Sequence, residues 1–400
     1  MADLSVLMGS LKLENPLIVS SGYVTDSPTL LHRADLHRPG AIILKTSLPE
    51  SEYSQVLKPG AGGIFPSLRN KFAAAEDGLL VGETLSLYSL EWWAEWLRAN
   101  KAGFQTPLIA STAAVSVEGH VKAVKMMEEA GADGIEILMA CPAPYFRPHK
   151  YSMTGDPKIV GEICQACRKA VKIPLGAKIH TYPTANARAA VSAGLDWVTI
   201  GGATVASPGI NLETLQPQIP YCYSLNGSRV QKYANFRMLL NLSSVSKTAH
   251  ISIHGGVRNW EDVAETILYG AGTVQAQTLF MIKGFKPVTE IKEGLAAYMD
   301  RMGFRSLDEI RGAILPRLAS FDEVVNSFAL TKSEIAALVD PKDCNGCGLC
   351  EEVCGYDAIK VKNGVARADK ALCEACGLCV ADCPTGAISM QGADKLLKTV

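Results

Sequence analysis

Eight of the twelve cysteines in this 400-residue sequence fall between positions 344 and 383, in two runs of identical spacing. Cys344-x2-Cys347-x2-Cys350-x3-Cys354 is followed, after eighteen residues, by Cys373-x2-Cys376-x2-Cys379-x3-Cys383. Pro384 closes the second run, whereas Gly355 stands at that place in the first. Three thiolates at this spacing wrap one corner of an iron–sulfur cubane, and in a two-cluster arrangement the fourth cysteine of each run ligates the other cluster. The reading is two [4Fe–4S] clusters, one on Cys344, Cys347, Cys350 and Cys383, the other on Cys373, Cys376, Cys379 and Cys354. Paired zinc sites would not require the repeated third and fourth cysteines. Clusters pass single electrons and bind no substrate, so a second redox centre is expected in the rest of the chain. A flavin is the centre that exchanges single electrons with clusters and electron pairs with an organic substrate.

Two lysines stand at the ends of apolar runs, Lys45 in Leu44-Lys45-Thr46-Ser47 and Lys178 in Ala177-Lys178-Ile179. A buried lysine needs an electron-rich partner, and a reduced flavin ring is one; a structural salt bridge is the alternative for either lysine alone. His254-Gly255-Gly256-Val257 and Gln277-Thr278 follow two further runs and offer close backbone approach and a hydroxyl donor to a phosphate.

These residues need a scaffold that brings strand ends together. Eight β-branched or aliphatic runs, starting near Pro16, Ala41, Pro107, Asp133, Pro174, Asp196, His250 and Gly272, alternate with helical periodicity. Helices are clearest over 116–130, 156–171, 259–270 and 288–301. The pattern predicts an α/β fold, a (β/α)8 TIM barrel, in preference to an open doubly wound sheet that would declare a Gly-rich turn after its first strand. The expected organisation is a barrel over 1–310, a helical connector over 311–340 with a short helix at Ser333–Ala337, and a two-cluster, ferredoxin-like domain over 341–400. Stretches 48–88 and 206–230 are too long for plain connections and are expected to form excursions over the barrel mouth. Trp92, Trp93 and Trp96, and the Cys164-x2-Cys167 pair, read as packing residues in helices.

A composition of 48% hydrophobic and 20% charged residues with net charge −1 supports a large core and supplies no basic field for nucleic acid. No run of 18 apolar residues is present to span a bilayer, and the first twelve residues lack the basic start of an export signal, so a cytoplasmic protein is expected.

Asn15-Pro16-Leu17-Ile18, Lys45-Thr46-Ser47, Gly131-Ala132-Asp133, Glu136, Cys141-Pro142, Asp156-Pro157, Ala177-Lys178, Gly255-Gly256 and the double cysteine run occur in a recognisable order. Over nearly its whole length the chain resembles the class 1 dihydroorotate dehydrogenases and, more closely, the flavin and iron–sulfur half of dihydropyrimidine dehydrogenase. The barrel-then-ferredoxin order is similar to the substrate-reducing subunit of two-subunit bacterial dihydropyrimidine dehydrogenases. The resemblance implies FMN held by Ser21, Gly22, Lys45, Thr46, Ser111, Lys178, Thr199, Gly227, Gly255, Gly256, Gln277 and Thr278. It also implies that Cys141 is the catalytic acid, protonating one carbon of an activated C=C bond while hydride reaches its neighbour. Read alone, Cys141 would be a small buried residue at a strand end.

Three family asparagines that read the pyrimidine edge have no counterpart here. Leu138 stands three residues before Cys141, Gly202 matches the second position, and Val81, near Glu83, matches the third. A pocket stripped of its hydrogen-bonding groups loses roughly 10⁴ or more in discrimination, so a non-pyrimidine substrate, less polar along the edge facing Leu138, is expected. In the loop after the acid, Tyr145 and Arg147 could stack on and hold a cyclic carboxylate, or form a solvated surface loop. His180 and His254 stand at strand ends, either as site residues or as satisfied core histidines.

No Gly-x-Gly-x-x-Gly follows a strand, so the chain shows no dinucleotide site of its own. The resemblance implies a separate FAD protein that oxidises NAD(P)H, or a ferredoxin, as electron partner, and homo- or hetero-oligomers. The competing functions are an electron-relay subunit without its own substrate, and a dihydropyrimidine or dihydroorotate dehydrogenase with altered recognition residues.

Overall fold

The computed structural model describes residues 2–52, 71–75, 78–82, 85–139, 155–180, 183–202, 204–207, 209–218, 224–242, 249–318 and 335–392. They divide into two compact units, 1–313 and 314–400.

In the first unit, eight parallel strands close into a barrel. They are β1 (Leu17–Val19), β2 (Ala41–Ile43), β3 (Leu108–Thr112), β4 (Gly134–Met139), β5 (Leu175–Ile179), β6 (Trp197–Gly201), β7 (His250–His254) and β8 (Thr273–Ala276). Each pairs with its sequence neighbours, and β8 closes on β1 through Val274↔Leu17, Gln275↔Ile18 and Ala276↔Val19. Every residue of β2, β3, β4 and β5 is buried. Barrel strands are covered on both faces, which is why they read as continuous apolar runs and not as alternating ones.

The helices between them are α1 (Pro28–Asp35), α2 (Leu90–Asn100), α3 (Val117–Glu129), α4 (Pro157–Ala170), α5 (Pro183–Ser192), α6 (Gln231–Asn241), α7 (Trp260–Leu268) and α8 (Pro287–Met302). Their starts follow from local chemistry. Ser116 Oγ accepts from the Gly119 amide at 2.9 Å, Asp156 Oδ1 from Lys158 at 2.9 Å beside Pro157, and Asn259 Oδ1 from Asp262 at 3.0 Å. Trp93 is buried with its indole N–H on Ser86 Oγ, and Trp92 and Trp96 pack against the same core. Cys164 and Cys167 are fully buried in α4, where burial pushes both thiols up, Cys167 to about 12, so they act as packing residues. Among the described residues no helix is long and apolar enough to cross a membrane.

Two features were not expected. An antiparallel hairpin, Val6–Met8 with Leu11–Leu13, lies against the N-terminal ends of β6 and β8, where Gly9 meets Asp196 and Met8 meets Thr273. The two long excursions join in one antiparallel sheet, in the order Thr204–Ala206, Ser224–Asn226, Gly78–Gly82, Lys71–Ala75.

The second unit repeats a strand–helix–strand motif. Ala336–Val339, Leu349–Glu352 and Ile359–Lys362 form the first half, and Val365–Ala368, Leu378–Ala381 and Ile388–Gln391 the second. The outer strands pair with each other, as do the inner ones. The helix expected at Ser333–Ala337 is corrected in its described part: Ala336 and Ala337 are in strand, because pairing with Met390 and Gln391 outweighs alanine's helical preference.

His250, at the foot of β7, bonds Thr273 Oγ1 at 3.0 Å. Burial, and then the nearby Arg311 charge, push its pKa down from 6.5 to about 4, against a backbone hydrogen bond with Leu7. The fold thus favours the neutral ring, and its contribution is fully present above pH 6.5 and lost as the pH falls towards 4. Unfolding by urea at pH 7.5 and pH 4.5 should show His250→Gln less sensitive to acid than the parent, by about 2 kcal/mol after allowing for partial exposure.

Candidate functional site

The C-terminal ends of the eight strands form one rim, and the expected cofactor residues in the described part of the chain are on or beside it. Ser21 and Gly22 follow β1, Lys45 and Thr46 follow β2, Ser111 lies in β3, Lys178 in β5 and Thr199 in β6. Gly255 and Gly256 follow β7, and Gln277 and Thr278 follow β8. Lys45 and Lys178 are both buried, 6% and 3% exposed, and Lys178 reaches the barrel interior.

Hydroxyls tie the first three strands together. The Thr46 amide donates to Ser21 Oγ at 3.0 Å, and Thr46 Oγ1 bonds Ser21 Oγ at 3.1 Å and Ser111 Oγ at 2.7 Å. Lys178 Nζ donates to Ser20 Oγ at 3.1 Å, Ser20 Oγ donates to Gln275 Oε1 at 3.0 Å, and Gln275 Nε2 donates to Glu136 Oε2 at 3.0 Å. The same carboxylate oxygen receives Thr199 Oγ1 at 2.6 Å and Trp197 Nε1 at 3.4 Å. Thr199 thus directs its hydroxyl into the barrel interior. Ser20 and Gln275 were not singled out in the sequence, and Glu136 was noted without a role; the available signal was a polar side chain inside an otherwise apolar strand.

Close approach accounts for the glycines. A Cβ on Gly22 would overlap the Gln277 side chain, and one on Gly227 would overlap Thr278 Oγ1. Gly256, with φ +82°, faces the Lys232 amide at 2.5 Å from its Cβ position. That segment is anchored by Asp262, fully buried, which accepts from Lys232 Nζ at 2.8 Å, Arg229 Nη2 at 3.0 Å and the Arg258 amide at 2.8 Å. Arg258 in turn holds the Gly227 carbonyl at 2.9 Å.

Leu138 is buried at 7% exposure, beside Lys178 in register. His180 and His254 come together at the rim, their ring centroids 6.2 Å apart. Burial first, and then the Lys178 charge, push His180 down to about 3, although a backbone hydrogen bond with Gly201 opposes the shift. Burial, Lys178 and His180 act the same way on His254. Cys141, Glu83, Tyr145 and Arg147 lie outside the described residues.

The rim residues fit a flavin phosphate ester. A row of hydroxyls and glycine-lined backbone at Gly255 and Gly256 are the donor set that such an anion requires. The expectation of two [4Fe–4S] clusters is corrected. Among the described residues, no group of three or more His, Cys, Asp or Glu could hold a metal ion. A single ion needs three or four such groups converging on one point. Here Cys344, Cys354 and Cys373 accept backbone N–H groups at 3.4, 3.4 and 3.5 Å. The eight cysteines line two cavities, Cys344, Cys347, Cys350 and Cys383 around one, Cys354, Cys373, Cys376 and Cys379 around the other.

Residues 3–299 match the family model described as dihydroorotate dehydrogenase, and residues 337–360 and 366–389 match the 4Fe-4S binding domain. The chain is 29% identical over 322 residues to the dihydroorotate dehydrogenase B (NAD(+)) catalytic subunit of Bacteroides fragilis, covering 78% of this chain and 99% of that protein. It is 27% identical over 384 residues to the chloroplastic dihydropyrimidine dehydrogenase (NADP(+)) of Arabidopsis thaliana, covering 88% and 87%. The catalytic subunit of dihydroorotate dehydrogenase B (NAD(+)) of Pyrococcus furiosus is 27% identical over 314 residues, covering 78% and 98%.

Glu136→Ala would leave the donors of Trp197, Thr199 and Gln275 facing an empty space, at a cost of about 3 kcal/mol or more. Glu136→Gln, which keeps an acceptor there, should cost less than half as much in the same urea titration. Equal stability of parent and Glu136→Ala would show that the network contributes nothing to folding.

Proposed function

The chain belongs to the dihydroorotate dehydrogenase family and is an oxidoreductase acting on CH–CH donors, and from that premise we propose that its substrate is not a pyrimidine. The observation that carries this reading is the rim itself. Its residues fit a flavin, while buried Leu138 and Gly202 stand at positions where the resemblance implies amides that read a pyrimidine edge, which supports the reading.

FMN, when bound, supplies hydride transfer at one carbon of the C=C bond and exchange of single electrons with a donor. Lys45 and Lys178 set positive charge in the barrel where the ring would gain negative charge, and Ser21, Thr46 and Ser111 offer hydroxyls along the same rim. Cys141 gives the proton from its Sγ to the neighbouring carbon, since a thiol with a pKa near 8.5 is mostly protonated at neutral pH yet able to exchange. Leu138 excludes water from the apolar edge of the substrate. The relatives named as catalytic subunits support a separate electron-transfer partner, an FAD- and NAD(P)H-dependent protein or a ferredoxin. Alongside the 4Fe-4S binding-domain match, they also support a subunit of the two-subunit bacterial dihydropyrimidine dehydrogenase type.

The test is anaerobic reconstitution with FMN, reduction by dithionite, and spectroscopic monitoring of flavin reoxidation against uracil, orotate and conjugated cyclic acids and ketones. Reoxidation is expected with a non-pyrimidine acceptor and should fall about 10²-fold or more in Cys141→Ala. Efficient reoxidation by uracil or orotate would restore the pyrimidine reading. Reoxidation by a partner protein alone, insensitive to Cys141→Ala, would establish a relay.

A further inference from the structure

The excursion after β6 carries a two-stranded hairpin that is separate from the four-stranded sheet. Ile210–Asn211 pairs with Gln216–Pro217, and all ten residues from 209 to 218 are exposed. The turn is closed by its own chemistry. Asn211 Oδ1 accepts from the Glu213 and Thr214 amides at 3.0 Å, the Leu215 amide donates to the Asn211 carbonyl at 2.8 Å, and the Gln218 amide donates to the Gly209 carbonyl at 2.9 Å. On this formed arm Ile210, Leu212 and Leu215 are 56%, 77% and 74% exposed, and Glu213 is the one charged residue of the ten. Three large aliphatic side chains held out together on a closed turn mark a surface that another chain covers.

The same excursion runs into α6, whose inner face is held firmly while its outer face is open. Inside, Lys232 Nζ meets Asp262 and Glu265, Asn235 Nδ2 donates to the His254 and Gly255 carbonyls at 3.1 Å each, and Phe236 stacks on Tyr269 with ring centroids 4.1 Å apart. Outside, Val230 and Tyr233 are 68% and 63% exposed, and Ala234 and Arg237 extend the same face at helical spacing. Neither Glu213 nor Arg237 has an ion pair among the described residues.

We propose that the arm of one copy lies on the outer face of α6 of a second copy, in an isologous contact in which each copy gives an arm and receives one. Ile210, Leu212 and Leu215 cover Val230, Tyr233 and Ala234, and Glu213 pairs with Arg237 across the interface. Charge selects this occupant. The arm's one charge is negative, and Arg237 is the one charge among the four outer-face residues of α6, so two surfaces of the same chain complement each other. An electron-transfer protein that docks briefly uses a small, charge-steered contact, whereas a largely uncharged aliphatic arm suits the lasting, more hydrophobic interface that joins identical subunits. The two-fold axis covers both arms and both helix faces at once, doubling the area that one arm would bury. Both surfaces are already formed, so little ordering entropy opposes the pairing.

The test is sedimentation velocity of the full-length protein at low micromolar concentration. The parent should sediment as a dimer. Leu212→Asp combined with Leu215→Asp, which leaves the backbone bonds of the turn in place, should give a monomer with the circular dichroism of the parent. Glu213→Arg and Arg237→Glu should each weaken the dimer about tenfold or more by placing like charges together, and the two combined should restore it. Such recovery separates a registered contact of arm with helix from unspecific apolar association. A monomeric parent overturns the proposal and leaves the arm to an unlike partner. Persistence of the dimer in the double aspartate variant overturns it too, as does a double charge exchange that fails to recover what the single exchanges lost.

Discussion

A line of hydrogen bonds crosses the barrel interior from a positive charge to a negative one. Lys178 donates to Ser20, Ser20 to Gln275, and Gln275 to Glu136, with Thr199 and Trp197 donating to the same carboxylate. Every donor points the same way, so each bond polarises the next, and the low dielectric of the interior strengthens the set. The line joins β5, β1, β8, β4 and β6. It fixes the Lys178 ammonium at the mouth, and the balance of charge around the two rim histidines follows from that placement.

A second buried charge does comparable work at the edge of the mouth. Asp262, at the start of α7, gathers Lys232, Arg229 and the Arg258 amide, and Arg258 reaches on to the Gly227 carbonyl. The glycine turn after β7 is thereby wedged between a helix start and the segment leading to α6. Removing one partner of a buried cluster of this kind strands the others without solvent.

The barrel was legible in the sequence because strands covered on both faces are written as unbroken apolar runs, and all eight runs became barrel strands. The rim lysines were legible for the same reason: a charge at the end of such a run has nowhere to go but the mouth. The N-terminal hairpin was not, since strands of three residues carry no readable period. The strand at Ala336–Val339 was misread because alanine favours helix until a partner strand is supplied. Cysteine spacing indicates which sulfurs are neighbours, but the expectation of bound clusters needed correction, since among the described residues no group of three or more such side chains could hold a metal ion. The meeting of His180 with Gly202 was illegible because it joins the ends of two strands through a missing side chain.

The sheet built from the two excursions has a kinetic consequence. Its pairing of Gly78–Gly82 with Ser224–Asn226 joins segments separated by much of the barrel, with β3, β4, β5 and β6 between them. Such a contact closes a very long loop and gains nothing until the intervening strands are in register. The sheet must therefore assemble late, on a barrel already taking shape. A folding intermediate with an incomplete barrel would lack this sheet, so the two excursions would be among the last parts of the first unit to find each other.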